Sequence, residues 1–70
     1  MKAKTYFKKN GFIIGCSSKY WFGNWVYRFE YFTNFDKANE WLNTEEYDFR
    51  FRELISVSEA KKRGYDFRKH

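Results

Sequence analysis

Seventy residues carrying a formal net charge of +5 and an aromatic fraction of 26% make one domain, and a domain of this size removes only about 60% of its unfolded surface from water. The single cysteine, Cys16, excludes an internal disulfide, and the single histidine, His70, leaves no zinc site of familiar spacing. The longest apolar run near the N-terminus, Phe12-Ile13-Ile14, is too short for a signal segment or a membrane span, so a soluble chain of the reducing cytoplasm is expected.

Asn10-Gly11 in TYFKKNGFIIG is the first turn signal, because both central positions of a type I′ hairpin turn need positive φ. It predicts a strand over residues 4–9, with Lys9 opposite Phe12, Phe7 opposite Ile14 and Thr5 opposite Cys16. Gly23-Asn24 predicts a second hairpin on the same middle strand, pairing Phe22 with Trp25, Tyr20 with Tyr27, Lys19 with Arg28, Ser18 with Phe29 and Cys16 with Tyr31. Side chains alternate between faces, and the two turns agree on an apolar face that holds Phe7, Phe12, Ile14, Cys16, Tyr20, Phe22, Trp25, Tyr27, Phe29 and Tyr31. A bulge within Gly15-Cys16-Ser17-Ser18, where β propensity is poor, would exchange the faces beyond it.

After the sheet the spacing turns helical, with Phe35, Ala38, Trp41 and Leu42 on one side of a helix that Thr33 or Asn34 caps. This helix is expected to cover the apolar sheet face. YDFRFREL then alternates Tyr47, Phe49 and Phe51 with Asp48, Arg50 and Arg52, as a fourth strand or extended segment does. Ser56 and Glu59 open a short second helix that Gly64 stops. Tyr-Asp-Phe-Arg occurs at 47–50 and again at 65–68, but the flanks differ and the unit is too short to be a structural repeat. The second copy is expected to pack Tyr65 and Phe67 onto the domain. The predicted fold is therefore α+β: a three-stranded antiparallel meander sheet with a helix packed on one face, then a fourth strand and a short C-terminal helix, in the order β-β-β-α-β-α.

Enzymatic chemistry finds few convergent groups in this chain. Cys16 lies on the apolar face with no histidine in the body of the sequence, as a buried structural thiol does. Glu45 and Glu46 sit beside a turn, where a solvated pair is expected, and the glycines answer to turns and helix stops. No catalytic residue, cofactor or metal is expected.

Positive charge gathers at the two ends of the chain around an acidic middle, a distribution suited to a polyanion partner. In the predicted register Lys4, Lys8, Lys19 and Arg28 share the second sheet face with Tyr6 and Trp21. Cations tracking phosphates beside rings that stack on bases are the parts of a nucleic-acid-binding sheet. A three-stranded sheet followed by the helix-entry stretch FDKANEWL resembles, over residues 4 to 43, the arm-type DNA-binding domains of tyrosine recombinases; the resemblance implies an open sheet face entering the major groove and favours DNA over RNA. A double-stranded-RNA domain, by contrast, starts with a helix. The first functional expectation is thus a non-enzymatic nucleic-acid-binding protein using Lys4, Tyr6, Lys8, Lys19, Trp21 and Arg28, of the compact kind found among small regulators of phages and mobile elements.

A length mismatch supports the alternative. A strand over residues 12–22 spans about 36 Å, whereas a helix over residues 34–43 covers about 15 Å. Tyr20, Phe22 and Trp25 are left over, and Trp, Tyr and Arg are common anchors of protein interfaces. They would serve a protein-binding adaptor or inhibitor, or a homodimer.

Overall fold

The computed structural model describes residues 2–44, 49 and 51–69. The chain runs as helix α1 (Lys2–Asn10), strands β1 (Ile13–Trp21) and β2 (Asn24–Phe32), helix α2 (Phe35–Leu42), strand β3 (Phe51–Ile55) and helix α3 (Val57–Lys62), closed by a 3-10 turn at Phe67–Lys69. The three strands form an antiparallel sheet in the order β2-β1-β3. The α+β class and the three-stranded sheet are as expected. The element order is not, because residues 4–9 are helical.

The reason lies in the turn signal itself. Asn10-Gly11 supplies positive φ, and a helix C-terminus needs that as much as a hairpin does. Gly11 has φ 77° and its amide donates to the Phe7 carbonyl at 2.7 Å. The Asn10 side chain donates to the Tyr6 carbonyl at 3.0 Å, and Lys8 and Lys9 in the last turn complement the helix dipole. Ala3, Tyr6 and Phe7, spaced i, i+3, i+4, form the half-buried side of α1. The place reserved for a strand over 4–9 is taken by β3, which pairs Ile14 with Ile55 and Ser18 with Phe51. With the first strand gone, the likeness to recombinase arm domains loses the strand order on which it rested. The contrast with double-stranded-RNA domains is lost as well, because this chain also starts with a helix.

The β1–β2 hairpin closes one residue earlier than expected. Its loop is Phe22-Gly23, with φ 48° and 81°, and Trp21 pairs with Asn24. Moving the loop by one residue changes the register by two, so every side chain keeps its expected face. The partners do change: Tyr20 faces Trp25, Lys19 faces Val26, Ser17 faces Arg28 and Cys16 faces Phe29. The like-charge Lys19–Arg28 pair does not form, and the ladder runs through Gly15-Cys16-Ser17-Ser18 without a bulge.

Two layers of helix enclose the sheet. On the face of Ile14, Cys16 and Ile55, the core is completed by Ala60 of α3 with Phe12, Phe29, Tyr65 and Phe67 around it. Tyr65 and Phe67 pack onto the domain as expected. Helix α2 lies on the opposite face, which corrects its expected position. Trp41 sits over Gly15 and beside Phe32, at 5.5 Å between ring centroids. A strand residue without a Cβ leaves the space the indole fills, so Gly15 directs α2 to that face. Asn34 caps α2 by accepting from the Lys37 amide at 3.1 Å, and Ser56 caps α3 by accepting from the Glu59 amide at 3.2 Å. Arg52 closes the other end of α2, donating to the Trp41 and Thr44 carbonyls at 2.6 and 2.8 Å. Helix α1 sits at the Ile13 end of the sheet, where Phe7 meets Phe35.

The expectations placed on Glu45 and Glu46, on Tyr47, Asp48 and Arg50, and on His70 lie outside the described residues. Among the described residues no helix is long and apolar enough to cross a membrane.

Cys16 is fully buried. Burial pushes its thiol up from the ordinary range, opposed by the Arg63 guanidinium that donates to Sγ at 3.4 Å. A protonated, enclosed thiol does not attack disulfide reagents. Labelling with a chromogenic disulfide at neutral pH is therefore expected to follow unfolding of the domain; a fast reaction in native buffer would contradict the burial.

A candidate interaction site at the hairpin tip

The nine-residue strands β1 and β2 run about 30 Å, while α2, with eight residues, and α3, with six, reach about 12 and 9 Å. The helices cover the Ile13 half of the sheet, and the turn half extends past them. Phe22 is 86% exposed there, Tyr20 62%, Trp21 56% and Trp25 51%, with Phe51 of β3 at 59%. Tyr20 meets Trp25 edge-on at 5.5 Å, Trp25 meets Phe51 at 6.2 Å, and Trp21 meets Phe22 at 4.9 Å. The rings thus support one another without being buried.

Phe22 is held in an unfavourable backbone region. Its φ of 48° is one that L-residues adopt at a cost of roughly 1–2 kcal/mol, and that Asn and Gly adopt routinely. Burial normally offsets such a cost. Here the ring stays in water.

The cationic set is divided by the fold. Lys19 and Arg28 do reach a common point on the α2 side of the sheet: Lys19 Nζ lies 4.8 Å from the Phe49 ring centre and 5.1 Å from that of Trp21, and the Arg28 guanidinium lies 4.7 Å from Phe49. Lys4, Tyr6 and Lys8 do not join them. They belong to α1, and Tyr6 lines a recess with Leu54, Ile55 and Ser56 at the far end of the sheet. Lys19 lies about 20 Å along β1 from Ile13, where α1 delivers the chain. Sequence reasoning did not include Phe49 and Phe51 in the site. The signal was their alternation with Arg50 and Arg52 in YDFRFREL; its described strand, from Phe51 onward, borders β1.

On the other sheet face, Ser18, Trp25, Tyr27, Glu53 and Arg63 line a shallow recess behind the tip. Arg63 is its organiser, paired with Glu53 and with Glu59 at 3.1 Å, and set 5.4 Å from the Tyr27 ring centre. Burial opposes its charge, but the bonds to Cys16 and Glu53 leave its pKa raised on balance. The site thus has an aromatic crest, a cationic flank and an ion-paired base. No protein-family model, curated protein or solved structure matches the chain.

Proposed function

We propose that the hairpin tip is a protein-docking element whose Tyr20, Trp21, Phe22 and Trp25, with Phe51 beside them, enter an apolar groove on a partner with an acidic rim. The observation that carries this reading is Phe22, a large ring kept in water at a left-handed turn position. Its edge-on contact with Trp21 at 4.9 Å leaves the ring in water, and strain that burial does not offset points to use elsewhere. Covering about 100 Å² of one such ring contributes roughly 2.5 kcal/mol, and aromatic anchors at the centre of an interface dominate its energy. Lys19 and Arg28 on the flank supply charge complementarity to the rim.

Selection of a displayed random-peptide library on the protein tests this, with Phe22→Asn as counter-selection. Enrichment of peptides that combine large apolar residues with Asp or Glu and lose binding to Phe22→Asn is expected. Peptides that bind both proteins equally would contradict it.

A second reading, nucleic-acid binding, is favoured by Lys19 and Arg28 gathered beside Trp21 and Phe49, since stacked bases and neutralised phosphates need that combination. Titration of mixed-sequence single-stranded DNA and RNA at two salt concentrations separates the two. The docking reading expects affinity no tighter than the non-specific range, roughly 10⁻⁴–10⁻⁶ M. Tighter, steeply salt-dependent binding that Lys19→Glu and Arg28→Glu abolish would favour nucleic acid instead.

A further inference from the structure

Strand β2 lies at an edge of the sheet, and its outer side carries few of the features that keep edges from pairing. Proline, lysine, bulges and short length are the usual protections. Asn24–Phe32 has nine residues in unbroken register with β1, and contains neither proline nor lysine. The other edge, β3, is shorter, with five residues, and presents Arg52 and Glu53.

Geometry restricts how two copies of β2 could meet. A two-residue loop closes on a hydrogen-bonded pair, here Trp21–Asn24, and bonded pairs alternate along an antiparallel ladder. Val26, Arg28 and Glu30 therefore direct their backbone groups toward β1, and Trp25, Tyr27 and Phe29 toward the outer edge. A two-fold axis normal to the sheet keeps each face on its own side, so only registers that match residues of the same face are allowed. With the axis at Arg28, two arginines face each other, and with the axis at Glu30, two glutamates do. With the axis at Phe29, Arg28 faces the partner's Glu30 at both symmetry-related positions. In that register Tyr27 faces the partner's Tyr31, and Val26 faces the partner's Phe32. Val26, Tyr27 and Tyr31 are all among the exposed hydrophobic side chains of the free chain. Among the described residues the Glu30 carboxylate has no hydrogen-bond or ion-pair partner.

We propose that this protein forms a two-fold homodimer by antiparallel pairing of β2 with β2 of a second copy, centred on Phe29, to give a six-stranded sheet. The two hairpin tips then point in opposite directions, roughly 40 Å apart, each available for docking. The dimer uses the edge of β2 and shares only Arg28, which also packs on Phe49, with the docking reading, so it stands whether or not Tyr20, Trp21, Phe22 and Trp25 bind a protein.

Sedimentation across a concentration series, with amide exchange followed by NMR, tests the pairing. A monomer–dimer equilibrium is expected, with the Tyr27 and Phe29 amides protected only where the dimer is populated. Arg28→Glu and Glu30→Arg each place like charges across both symmetric pairs and should raise the dissociation constant about tenfold or more. The double variant should restore it, which excludes misfolding as the cause of either single effect. A strictly monomeric protein, exchange at Tyr27 and Phe29 independent of concentration, or failure of the double variant to recover would each overturn the proposal. So would a dimer abolished by Phe22→Asn and indifferent to Arg28→Glu, because it would place the contact at the tip.

Discussion

Replacing Gly15 by alanine is expected to destabilise the domain by about 1–3 kcal/mol, the usual cost of overfilling a packed core. A Cβ at this position would lie 2.6 and 2.8 Å from two atoms of the Trp41 ring and 3.0 Å from the Phe32 ring. The indole has little freedom to withdraw. Arg52 stacks on it at 4.6 Å and also holds the Trp41 carbonyl, so any shift of the ring disturbs the end of α2 as well. At roughly 4–8 °C per kcal/mol for a domain of this size, the midpoint of thermal unfolding should fall by about 4–24 °C. Trp41→Leu in the alanine background should recover part of the loss, giving a coupling that the separate substitutions lack. Melting within about a degree of the wild type would show that α2 does not lie against Gly15.

Arg63→Ala is expected to cost about 1–2 kcal/mol, through lost packing of the side-chain stem and loss of three polar contacts. Arg63 ends α3 and ties it to the sheet by reaching Glu53 on β3, Glu59 one turn earlier and Sγ of Cys16 on β1. Both carboxylates remain substantially exposed, at 54% and 41%, so solvent screening keeps the ionic part of this figure small. Arg63→Lys should recover little, because an ammonium cannot present several donors in one plane to partners on different strands. The guanidinium also opposes the upward push of burial on the Cys16 thiol, so the alanine variant should hold that thiol protonated to higher pH. Chemical denaturation gives the stability, and the Cys16 Cβ chemical shift followed by NMR against pH, below the onset of unfolding, reads the second effect without needing a reagent to reach the buried thiol. Unchanged stability together with an unchanged profile would mean that Arg63 does not bridge α3 and the sheet.

Several features were legible because local chemistry and tertiary packing agree. Asn34 and Ser56 are caps wherever a helix follows, and the period of two in β1 and β2 places Ile14, Cys16, Phe29 and Tyr31 on one face whether the loop starts at Phe22 or Gly23. Residues 4–9 were misread because Asn-Gly satisfies the positive-φ requirement of a hairpin and of a helix end equally, and the Ala3, Tyr6, Phe7 spacing that decides between them is short. The side on which α2 packs was hidden for a different reason. It depends on Trp41 lying over Gly15 between Phe32 of β2 and Arg52 of β3, neighbours that only the assembled three-stranded sheet brings together. The tip was accessible through length alone: strands longer than the helices available to cover them must leave Tyr20, Phe22 and Trp25 in water. The division of the cationic set followed from the lost first strand, which carried Lys4, Tyr6 and Lys8 away from Lys19 and Arg28.

On the docking reading, Phe22 is held at the tip for contact with a partner and at a cost to the fold. Its most direct test is the denaturant midpoint of Phe22→Asn at fixed protein concentration. Asn-Gly suits a turn with positive φ at both central positions, so the variant should be more stable than the wild type by about 1 kcal/mol, with an unchanged denaturant slope. A midpoint at or below that of the wild type would show that the Phe22 ring already stabilises the free chain, and would contradict the account.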